Sequence, residues 1–183
     1  MQQTNFSKSL AFDSCVININ YITEPKFKIT SVHLESLLEG KKTAFSDNYK
    51  HDRILDSVIS SIFAYFEENK PLHVKLEYMN MADIAPYYRK VLETLFYQIP
   101  QGKVVTYKKL SEFTGNPNAS RAVGTAMSTN PFPLLIPCHR VLKSDLKIGN
   151  YGSGQKLKLF LLEKETARNS FKDCSLVSKE ILV

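Results

Sequence analysis

The sequence predicts a small α/β domain, made of a sheet and one helix, followed by a mainly helical domain that contains a helix-turn-helix. Three observations in the 183-residue chain support this prediction. Extended segments rich in β-branched residues dominate the first half, a single segment with helical periodicity interrupts them, and short helical segments separated by glycine and proline fill the second half. Hydrophobic residues make up 43% of the chain, which is enough for packed cores.

The N-terminal α/β domain is expected over residues 1–80. Residues 14–22 predict a first strand and residues 27–34 a second, because both are rich in strand-forming side chains. A polar loop is expected over residues 38–51. Apolar residues then recur at helical spacing and predict an amphipathic helix over 53–67. After this helix, strict alternation predicts another strand, which carries Leu72, Val74, Leu76 and Tyr78.

The C-terminal domain is expected over residues 86–168, after a linker that Pro86 closes. An apolar face ended by proline and glycine predicts a helix over 87–99. The last helix is expected over 155–167, and residues 169–183 form a tail with little pattern.

Two short helices between these elements predict the helix-turn-helix. Thr106 can cap a helix that runs through Phe113, and Gly115 follows at its end. Asn118 can cap a second helix over 119–129. A glycine-containing turn between two short helices is typical of this motif.

The composition indicates an intracellular protein without a membrane span. No run of 18 apolar residues occurs, and the N-terminus lacks the basic start and apolar block of a secretory signal. The three cysteines are dispersed, which argues against a disulfide framework. The chain also contains no C-x-x-C motif, which would indicate a metal site. We therefore expect neither a metal nor a cofactor.

The charge is compatible with a polyanionic partner. The formal net charge is +6 and the pI is about 9.1, and a basic surface attracts nucleic acid. General solubility explains the same charge, because the basic residues are spread over the chain. The charge alone does not decide between the two explanations.

The helix predicted over 119–129 consists almost entirely of small residues with one arginine, Arg121. Small side chains let a helix approach another surface closely. That surface is either a neighbouring helix, with Arg121 in solvent, or the backbone and groove of DNA, with Arg121 reaching in.

The dipeptide Cys138-His139 offers a sulfur nucleophile beside a base. The thiolate is the reactive form of cysteine, and a neighbouring base or cation lowers the thiol pKa. Adjacent side chains of a strand point in opposite directions, so cooperation requires a turn or a bridging water. The spacing alone is weak evidence, since a buried structural cysteine is the ordinary alternative.

The string Ile136-Pro137-Cys138-His139-Arg140-Val141 resembles the active-site signature of the O6-alkylguanine-DNA alkyltransferase family. Further segments resemble the family in the same order and spacing, from about Arg89 to Glu165. They are Gly102–Tyr107, Gly115-Asn116-Pro117 with Arg121–Gly124, Asn130-Pro131-Phe132-Pro133, Gly149-Asn150-Tyr151 and Lys158–Glu165.

The resemblance implies a role for each matching residue. Cys138 would be the nucleophile, His139 would take its proton through a water, and Glu165 would orient His139. Tyr107 would donate a proton to a guanine ring nitrogen, and Asn130 would hold the loop beside the thiol. The implied substrate-binding residues are Met127, Pro133, Val141, Tyr151 and Gly152, with the backbone of Cys138, Val141 and Gly152 reading the guanine edge. The implied DNA-binding residues are Thr106, Ser120, Arg121 and Ala122.

The resemblance to the family also implies the fold, the substrate and the partner. The N-terminal domain would be ribonuclease-H-like and the C-terminal domain winged-helix-like. The protein would repair O6-alkylguanine, and also O4-alkylthymine, in duplex DNA as a single-turnover methyltransferase. It would bind the minor groove as a monomer and flip the base out, because the alkyl carbon points into the base stack. The compartment would be the cytoplasm of a prokaryote or the nucleus of a eukaryote.

Several positions depart from the family pattern. Ser128 and Thr129 stand where many members have a basic residue and glycine, which concerns DNA affinity rather than chemistry. Glu93 replaces a frequent tryptophan. Only Cys15 is available where some members bind zinc through N-terminal cysteines and histidines, and Cys174 is expected to have no catalytic role.

Three other functions are weighed against alkyl transfer. A non-catalytic lesion-binding protein of this fold replaces the cysteine, usually with tryptophan, whereas Cys138 is present here. A helix-turn-helix regulator would need a recognition helix rich in Arg, Asn and Gln, which the chain lacks. A cysteine hydrolase would leave Tyr107, Arg121 and Asn130 unexplained.

Overall fold

A three-stranded antiparallel sheet forms the first part of the computed structural model, which describes residues 4–38, 47–166, 170–172, 174–176 and 178–183. The strands are β1 (Phe6–Ala11), β2 (Cys15–Ile22) and β3 (Lys28–Ser36), in the order β1-β2-β3. Most of the central strand β2 is buried, and Ile17, Ile19 and Tyr21 on one of its faces are fully buried. The predicted strands 14–22 and 27–34 are thus confirmed as β2 and β3.

One helix, α1 (Arg53–Glu68), completes this unit and confirms the helix predicted over 53–67. The Asp52 carboxylate caps it by accepting hydrogen bonds from the amides of Ile54 and Leu55. Leu55, Val58, Ile62 and Tyr65 form its buried face. Phe66 stacks on Phe12, with 4.2 Å between the ring centroids.

Two expectations for this half are corrected. The strand predicted through Leu72 and Tyr78 is wrong, because the segment is extended and then forms a 3-10 turn (Leu76–Tyr78). Its alternate residues are half-buried, but among the described residues the one bond between its backbone and that of the sheet comes just after it, where the Asn80 amide donates to the Ile29 carbonyl over 2.8 Å. The alternating pattern therefore reflects the burial of one side of the segment and not the pairing of a strand in a sheet. Strand β1 was not predicted, since its residues Phe6–Ala11 are mostly polar or half-buried.

The chain divides into two units, Met1–Ala82 and Asp83–Val183, and the second is mainly helical. Its helices are α2 (Pro86–Gln98), α3 (Tyr107–Phe113), α4 (Ser120–Ser128) and α5 (Gln155–Glu165). The predicted helices 87–99, 107–113 and 155–167 are confirmed within two residues at their ends. Among the described residues, none of the helices is both long and apolar enough to cross a membrane.

Helices α3 and α4 are joined by a turn that begins with a glycine at positive φ. Thr106 caps α3 by accepting from the Lys109 amide at 3.1 Å, as predicted. Gly115 (φ +78°) then reverses the chain, a conformation that side chains with a Cβ rarely adopt. The predicted cap at Asn118 is wrong. Ala119 occupies the cap position of α4 without a side-chain bond, and the Ser111 hydroxyl, 3.1 Å from the Pro117 carbonyl, ties the turn to α3.

A short parallel pair of strands places the two halves of the site side by side. Strand β4 (Val105–Thr106) pairs with β5 (Val141–Leu142) in the register Val105↔Val141. β4 runs directly into Tyr107 at the start of α3. β5 directly follows the 3-10 turn Cys138–Arg140. Residues 36 positions apart in the sequence thereby become neighbours.

The tail, residues 169–183, contains regular structure that the sequence did not indicate. It forms a hairpin of β6 (Phe171–Lys172) and β7 (Ser175–Leu176), followed by a 3-10 turn (Lys179–Ile181). Phe171 and Leu176 are buried in a cluster with Val104, Leu142, Ile148 and Leu162.

Candidate active site

Cys138 lies at a double turn that aims its side chain into a cavity. Pro137 (φ −79°, ψ +62°) is the centre of an inverse γ-turn, in which the Cys138 amide donates to the Ile136 carbonyl at 2.8 Å. The 3-10 turn Cys138–Arg140 follows at once. The strand geometry that would send Cys138 and His139 to opposite sides is therefore absent here. Cys138 is 5% exposed and His139 is fully buried.

The cavity beside the thiol has a volume of about 380 Å³, within the range of small-molecule sites. Seven of the predicted site residues line it: Tyr107, Met127, Asn130, Pro133, Cys138, Tyr151 and Gly152. Four further lining residues were not predicted: Gly124, Ser128, Asn150 and Ser153.

Behind the thiol, His139 and Arg140 share one buried carboxylate. His139 Nε2 lies 2.9 Å from Glu165 Oε1. Arg140 donates to both oxygens of Glu165, from Nε at 2.7 Å and from Nη2 at 3.0 Å, and Nη1 donates to the Ile99 carbonyl at 2.8 Å. This is the bidentate geometry that makes charge-assisted hydrogen bonds strong. Glu165 is thus fixed by two partners, of which the sequence argument named only His139.

The turn before β4 packs closely against the end of α5 and so helps to place Glu165. Gly102 has φ +80°, and a Cβ at this position would lie 3.1 Å from the Glu165 carbonyl oxygen. Only glycine accepts both the conformation and the contact without strain. The glycine of the segment Gly102–Tyr107 therefore serves the packing of the acid residue.

The electrostatics of this cluster determine which ring nitrogen of the neutral His139 carries the hydrogen. Burial raises the pKa of Glu165, but the charges and hydrogen bonds of His139 and Arg140 outweigh it, so the pKa lies far below 4.5. Burial lowers the pKa of His139 below 6.5 despite the opposing effect of Glu165. An ionised carboxylate only accepts, so the neutral imidazole donates from Nε2. Nδ1 then carries the lone pair, and this buried atom has no hydrogen-bond partner among the described residues.

The thiol itself is held in the protonated form. Burial raises the pKa of Cys138 above 9.0, against the lowering effects of the Asn130 hydrogen bond, the Lys158 charge and the Tyr151 hydrogen bond. A base is therefore needed at the moment of reaction.

Lys158 supplies a positive charge to the same pocket from a buried position. It is 1% exposed, and its ammonium donates to the Val141 carbonyl at 2.7 Å and lies 6.0 Å from the centre of the Tyr151 ring. Burial lowers its pKa to about 8, although Cys138 opposes the shift. The ammonium is charged at neutral pH and favours a negative charge on sulfur.

Tyr107 and Asn130 occupy positions that suit the roles expected of them. Burial, and secondarily Cys138, raises the pKa of Tyr107 above 10.0, so its hydroxyl keeps its proton. Asn130 donates from Nδ2 to the Ile136 carbonyl and accepts from the Phe132 amide, each at 3.0 Å. These bonds close the loop that leads into Cys138.

Other predicted residues lie outside the cavity lining. Val141 is fully buried in β5; its amide donates to the Cys138 carbonyl and its carbonyl accepts from Lys158. Each of these carbonyls has a second lone pair for a further donor. The predicted DNA-binding residues lie on the helix-turn-helix: Arg121 is exposed on the first turn of α4, and Thr106, Ser120 and Ala122 are half-buried.

Lys158 is a residue of the candidate site that a closer sequence analysis would have found. In a helix over 155–165, Lys158, Leu161, Leu162 and Glu165 share one face, because they are spaced by three or four residues. A lysine and a glutamate on an otherwise apolar face are costly to bury unless they have partners. Arg140 gave no such signal, since no periodic element contains it. Among the described residues, no group of His, Cys, Asp or Glu side chains could hold a metal ion.

Comparison with known proteins gives matches that centre on this unit. The family model described as 6-O-methylguanine DNA methyltransferase, DNA binding domain, matches residues 86–167. A methylated-DNA–protein-cysteine methyltransferase of Methanothermobacter thermautotrophicus is 36% identical over 129 residues, which cover 70% of each chain. The rat protein of the same name is 53% identical over 78 residues, 42% of this chain and 37% of its own length. The chain thus spans well under half of that mammalian relative.

Solved structures share the fold over most of the chain. The O6-methylguanine methyltransferase of Mycobacterium tuberculosis superposes with a TM-score of 0.67 at 23% identity, covering 90% of this chain and 94% of that one. The O6-methylguanine-DNA methyltransferase of Pyrococcus kodakaraensis gives 0.63 at 24% identity, covering 88% and 99%. At these identities the likeness concerns the fold.

Proposed function

Because the chain belongs to the methylated-DNA–protein-cysteine methyltransferase family, we propose that it repairs O6-alkylguanine in duplex DNA by transferring the alkyl group to Cys138. The observation that carries the proposal is the buried thiol at a cavity with a neutral histidine base behind it and a protonated tyrosine in its wall. A non-catalytic lesion-binding protein would have no need of this base, which makes that alternative the weaker one.

The proposed reaction moves one alkyl group and, overall, one proton. His139 Nδ1 takes the thiol proton, through a water, and the sulfur attacks the alkyl carbon. A sulfur–carbon bond forms, the carbon–O6 bond breaks, and its electron pair stays on guanine. Tyr107 donates a proton to a ring nitrogen, because guanine leaves poorly without protonation. The Tyr107 phenolate then regains a proton as His139 releases one to solvent, so the net proton movement is from the thiol to guanine. Lys158 favours the thiolate, and Glu165 stabilises the protonated His139.

The product is a thioether, which explains why one molecule repairs one lesion. A thioether has no polarised carbonyl that water could attack, unlike an acyl-enzyme. Neither a cofactor nor a metal is needed for this step, since the displacement changes no oxidation state and the residues named above supply the base and the proton donor. The same chemistry extends to O4-alkylthymine, where the alkyl group is also bonded to an exocyclic oxygen.

Helix α4 is proposed as the element that enters the minor groove. Its small residues permit close approach, and Thr106, Ser120 and Ala122 lie on the same helix-turn-helix as the exposed Arg121. Arg121 would fill the gap that the flipped nucleotide leaves in the stack. Flipping costs a few kcal/mol and is easier for a weakly paired lesion.

The remaining assignments rest on the family. We assign the first unit to a ribonuclease-H-like fold and the second to a winged-helix-like fold, and we expect a monomer. A protein acting on genomic DNA works in the cytoplasm of a prokaryote or the nucleus of a eukaryote.

The proposal is tested by incubating the protein with duplex DNA that holds one O6-methylguanine and digesting it for mass spectrometry. We expect a methyl group on the peptide that contains Cys138, and repaired lesions never exceeding protein molecules. The peptides of Cys15 and Cys174 serve as internal controls and should remain unmodified. Turnover with excess substrate would overturn the single-turnover mechanism and favour a hydrolase.

Arg121→Ala and Tyr107→Phe should separate base flipping from proton donation. Arg121→Ala should slow repair of duplex DNA strongly but leave the reaction with free O6-benzylguanine nearly unchanged, since a free base needs no flipping. Tyr107→Phe should slow both reactions about 100-fold, at the lower end of the effect of general acid catalysis. Rates are measured under single-turnover conditions, and equal losses for both variants on both substrates would contradict this division.

The reaction with free O6-benzylguanine should depend on pH in two directions. Below 6.5 the rate should fall as His139, whose pKa is lowered, becomes protonated and loses its function as a base. Above about 8 it should fall again, because Lys158 loses the charge that favours the thiolate. Lys158→Met should be about tenfold slower at pH 7, the effect of one pKa unit on the thiol, and should lack the alkaline decline. A wild-type rate that rises steadily from pH 7 to 9 would show that Lys158 has no such role.

A further inference from the structure

The C-terminal segment, residues 170–183, lies beyond the residues that the family model matches. We propose that this segment is a positioning element of the active site, which holds the Tyr107 wall and the 150–153 wall of the cavity at a fixed spacing. The inference rests on the proposed function, because alkyl transfer is the reaction that this spacing serves. The structure describes the segment at all positions except 173 and 177.

The end of the segment pairs with the residue that begins the Tyr107 wall. The Val104 amide donates to the Ile181 carbonyl at 2.8 Å, and the Val183 amide donates to the Val104 carbonyl at 2.9 Å. Lys103 Nζ also donates to the Glu180 carbonyl at 2.8 Å. Both backbone groups of Val104 are thus bonded to the segment, three residues before Tyr107.

The hairpin of the segment pairs with the residues that begin the other wall. The Ile148 amide donates to the Cys174 carbonyl, and the Leu176 amide donates to the Leu146 carbonyl, each at 2.9 Å. Ile148 lies two residues before Asn150, the first lining residue of that wall. The same segment therefore holds the start of each wall by main-chain hydrogen bonds.

A shared apolar cluster makes the two attachments a single unit. Phe171 and Leu176 of the segment are buried with Val104 from one wall and Ile148 from the other. Leu142 and Leu162 join them, and these belong to β5 and α5, which carry the residues around Cys138 and Glu165. None of the segment's described residues lines the cavity, so the segment is proposed to act through the two walls.

Val183 offers a matched pair of substitutions that tests the attachment to Val104. Its side chain is 39% exposed, so Val183→Ala removes little packing and keeps the amide. Val183→Pro removes the amide that donates to the Val104 carbonyl. Both variants are compared at a temperature where circular dichroism shows them folded. We expect Val183→Pro to react with free O6-benzylguanine about tenfold more slowly at saturation, within the losses that a small misplacement causes, and Val183→Ala to react like the wild type.

A double-mutant cycle distinguishes a misplaced Tyr107 wall from a general structural defect of the Val183→Pro variant. In a Tyr107→Phe background the proton donor is already absent, so Val183→Pro should lose most of its effect. A purely structural defect would slow both backgrounds by the same factor. The affinity of Val183→Pro for unmodified duplex DNA should be unchanged, because none of the hydrogen bonds of the C-terminal segment given above involves α4.

The hairpin attachment is tested by Phe171→Ala, with Phe171→Leu as the conservative variant that should restore the rate. Equal rates for folded Phe171→Ala, Val183→Pro and wild-type protein would overturn the inference. The same rate loss for Val183→Pro in both backgrounds would overturn it as well. A wild-type protein that does not react with O6-benzylguanine would instead contradict the proposed function, so the two failures are distinguishable.

Discussion

Replacing Cys138 by serine is expected to abolish alkyl transfer while leaving the affinity for duplex DNA unchanged. The serine hydroxyl is far less acidic than a thiol and a much weaker nucleophile towards an alkyl carbon, which has no carbonyl for an activated serine to attack. The substitution conserves shape at a side chain that is nearly buried, so the fold and the surface of α4 should not change. Transfer is measured with duplex DNA that carries a labelled methyl group, and affinity by titration of unlabelled duplex.

Cys174→Ser provides the matched control for this experiment. Cys174 is a half-buried free cysteine in the C-terminal hairpin and does not line the cavity. We expect this variant to accept one methyl group per molecule, like the wild type. Label that still accumulates on the Cys138→Ser protein would identify another acceptor and contradict the assignment of the nucleophile.

Much of the site could be predicted from the sequence because its parts are short, local motifs. Tyr107, Asn130, Cys138 and Tyr151 each belong to a few contiguous residues that resemble a motif of the family, and this resemblance is what singled them out. Their convergence depends on the parallel pairing of Val105 with Val141, which periodicity cannot reveal for strands of two residues. The cavity that joins them follows from this pairing rather than from any one motif.

The remainder depended on interactions between distant residues. Alternation at Leu72–Tyr78 correctly indicated a covered side, but the choice between a strand and an unpaired extended segment requires a partner backbone. The C-terminal hairpin gave no signal, because its apolar residues show no periodic pattern and the burial of Phe171 and Leu176 depends on Val104 and Ile148. Propensity and pattern are local properties, and tertiary contacts override them.

Buried charges were the other feature that the sequence argument underestimated. Charged residues are almost never fully buried unless paired, and the sequence argument assigned no role to Lys158 or Arg140. The structure pairs Arg140 with Glu165 and Lys158 with a carbonyl, both beside the reacting thiol. Burial of this kind shifts pKa values, and it concentrates at functional sites.

Glu165→Ala is expected to destabilise the C-terminal unit and to slow alkyl transfer together. The substitution leaves the Arg140 guanidinium buried without its counter-charge, and breaking a buried pair in this way typically costs about 3–5 kcal/mol. We expect a fall in melting temperature of more than about 10 °C. His139 also loses the group that fixes its tautomer, so the transfer rate should fall about 10²–10⁴-fold, the range of general base catalysis.

Two further variants make the Glu165 result specific. Glu163→Ala removes an exposed carboxylate from the same helix and should melt like the wild type. Glu165→Gln keeps one acceptor oxygen and should lose less stability than Glu165→Ala.

The sign of the pH dependence follows from the lowered pKa of Glu165: its stabilising effect is present above the ordinary value of 4.5 and is lost as the pH falls towards the folded-state pKa. The difference in melting temperature between wild type and Glu165→Gln should therefore stay constant from pH 7 to about 5 and shrink at lower pH. If Glu165→Ala instead melts like Glu163→Ala, the buried carboxylate does not hold the neutral His139 and the charged Arg140 in place, and the base assigned to the thiol must be oriented by another group.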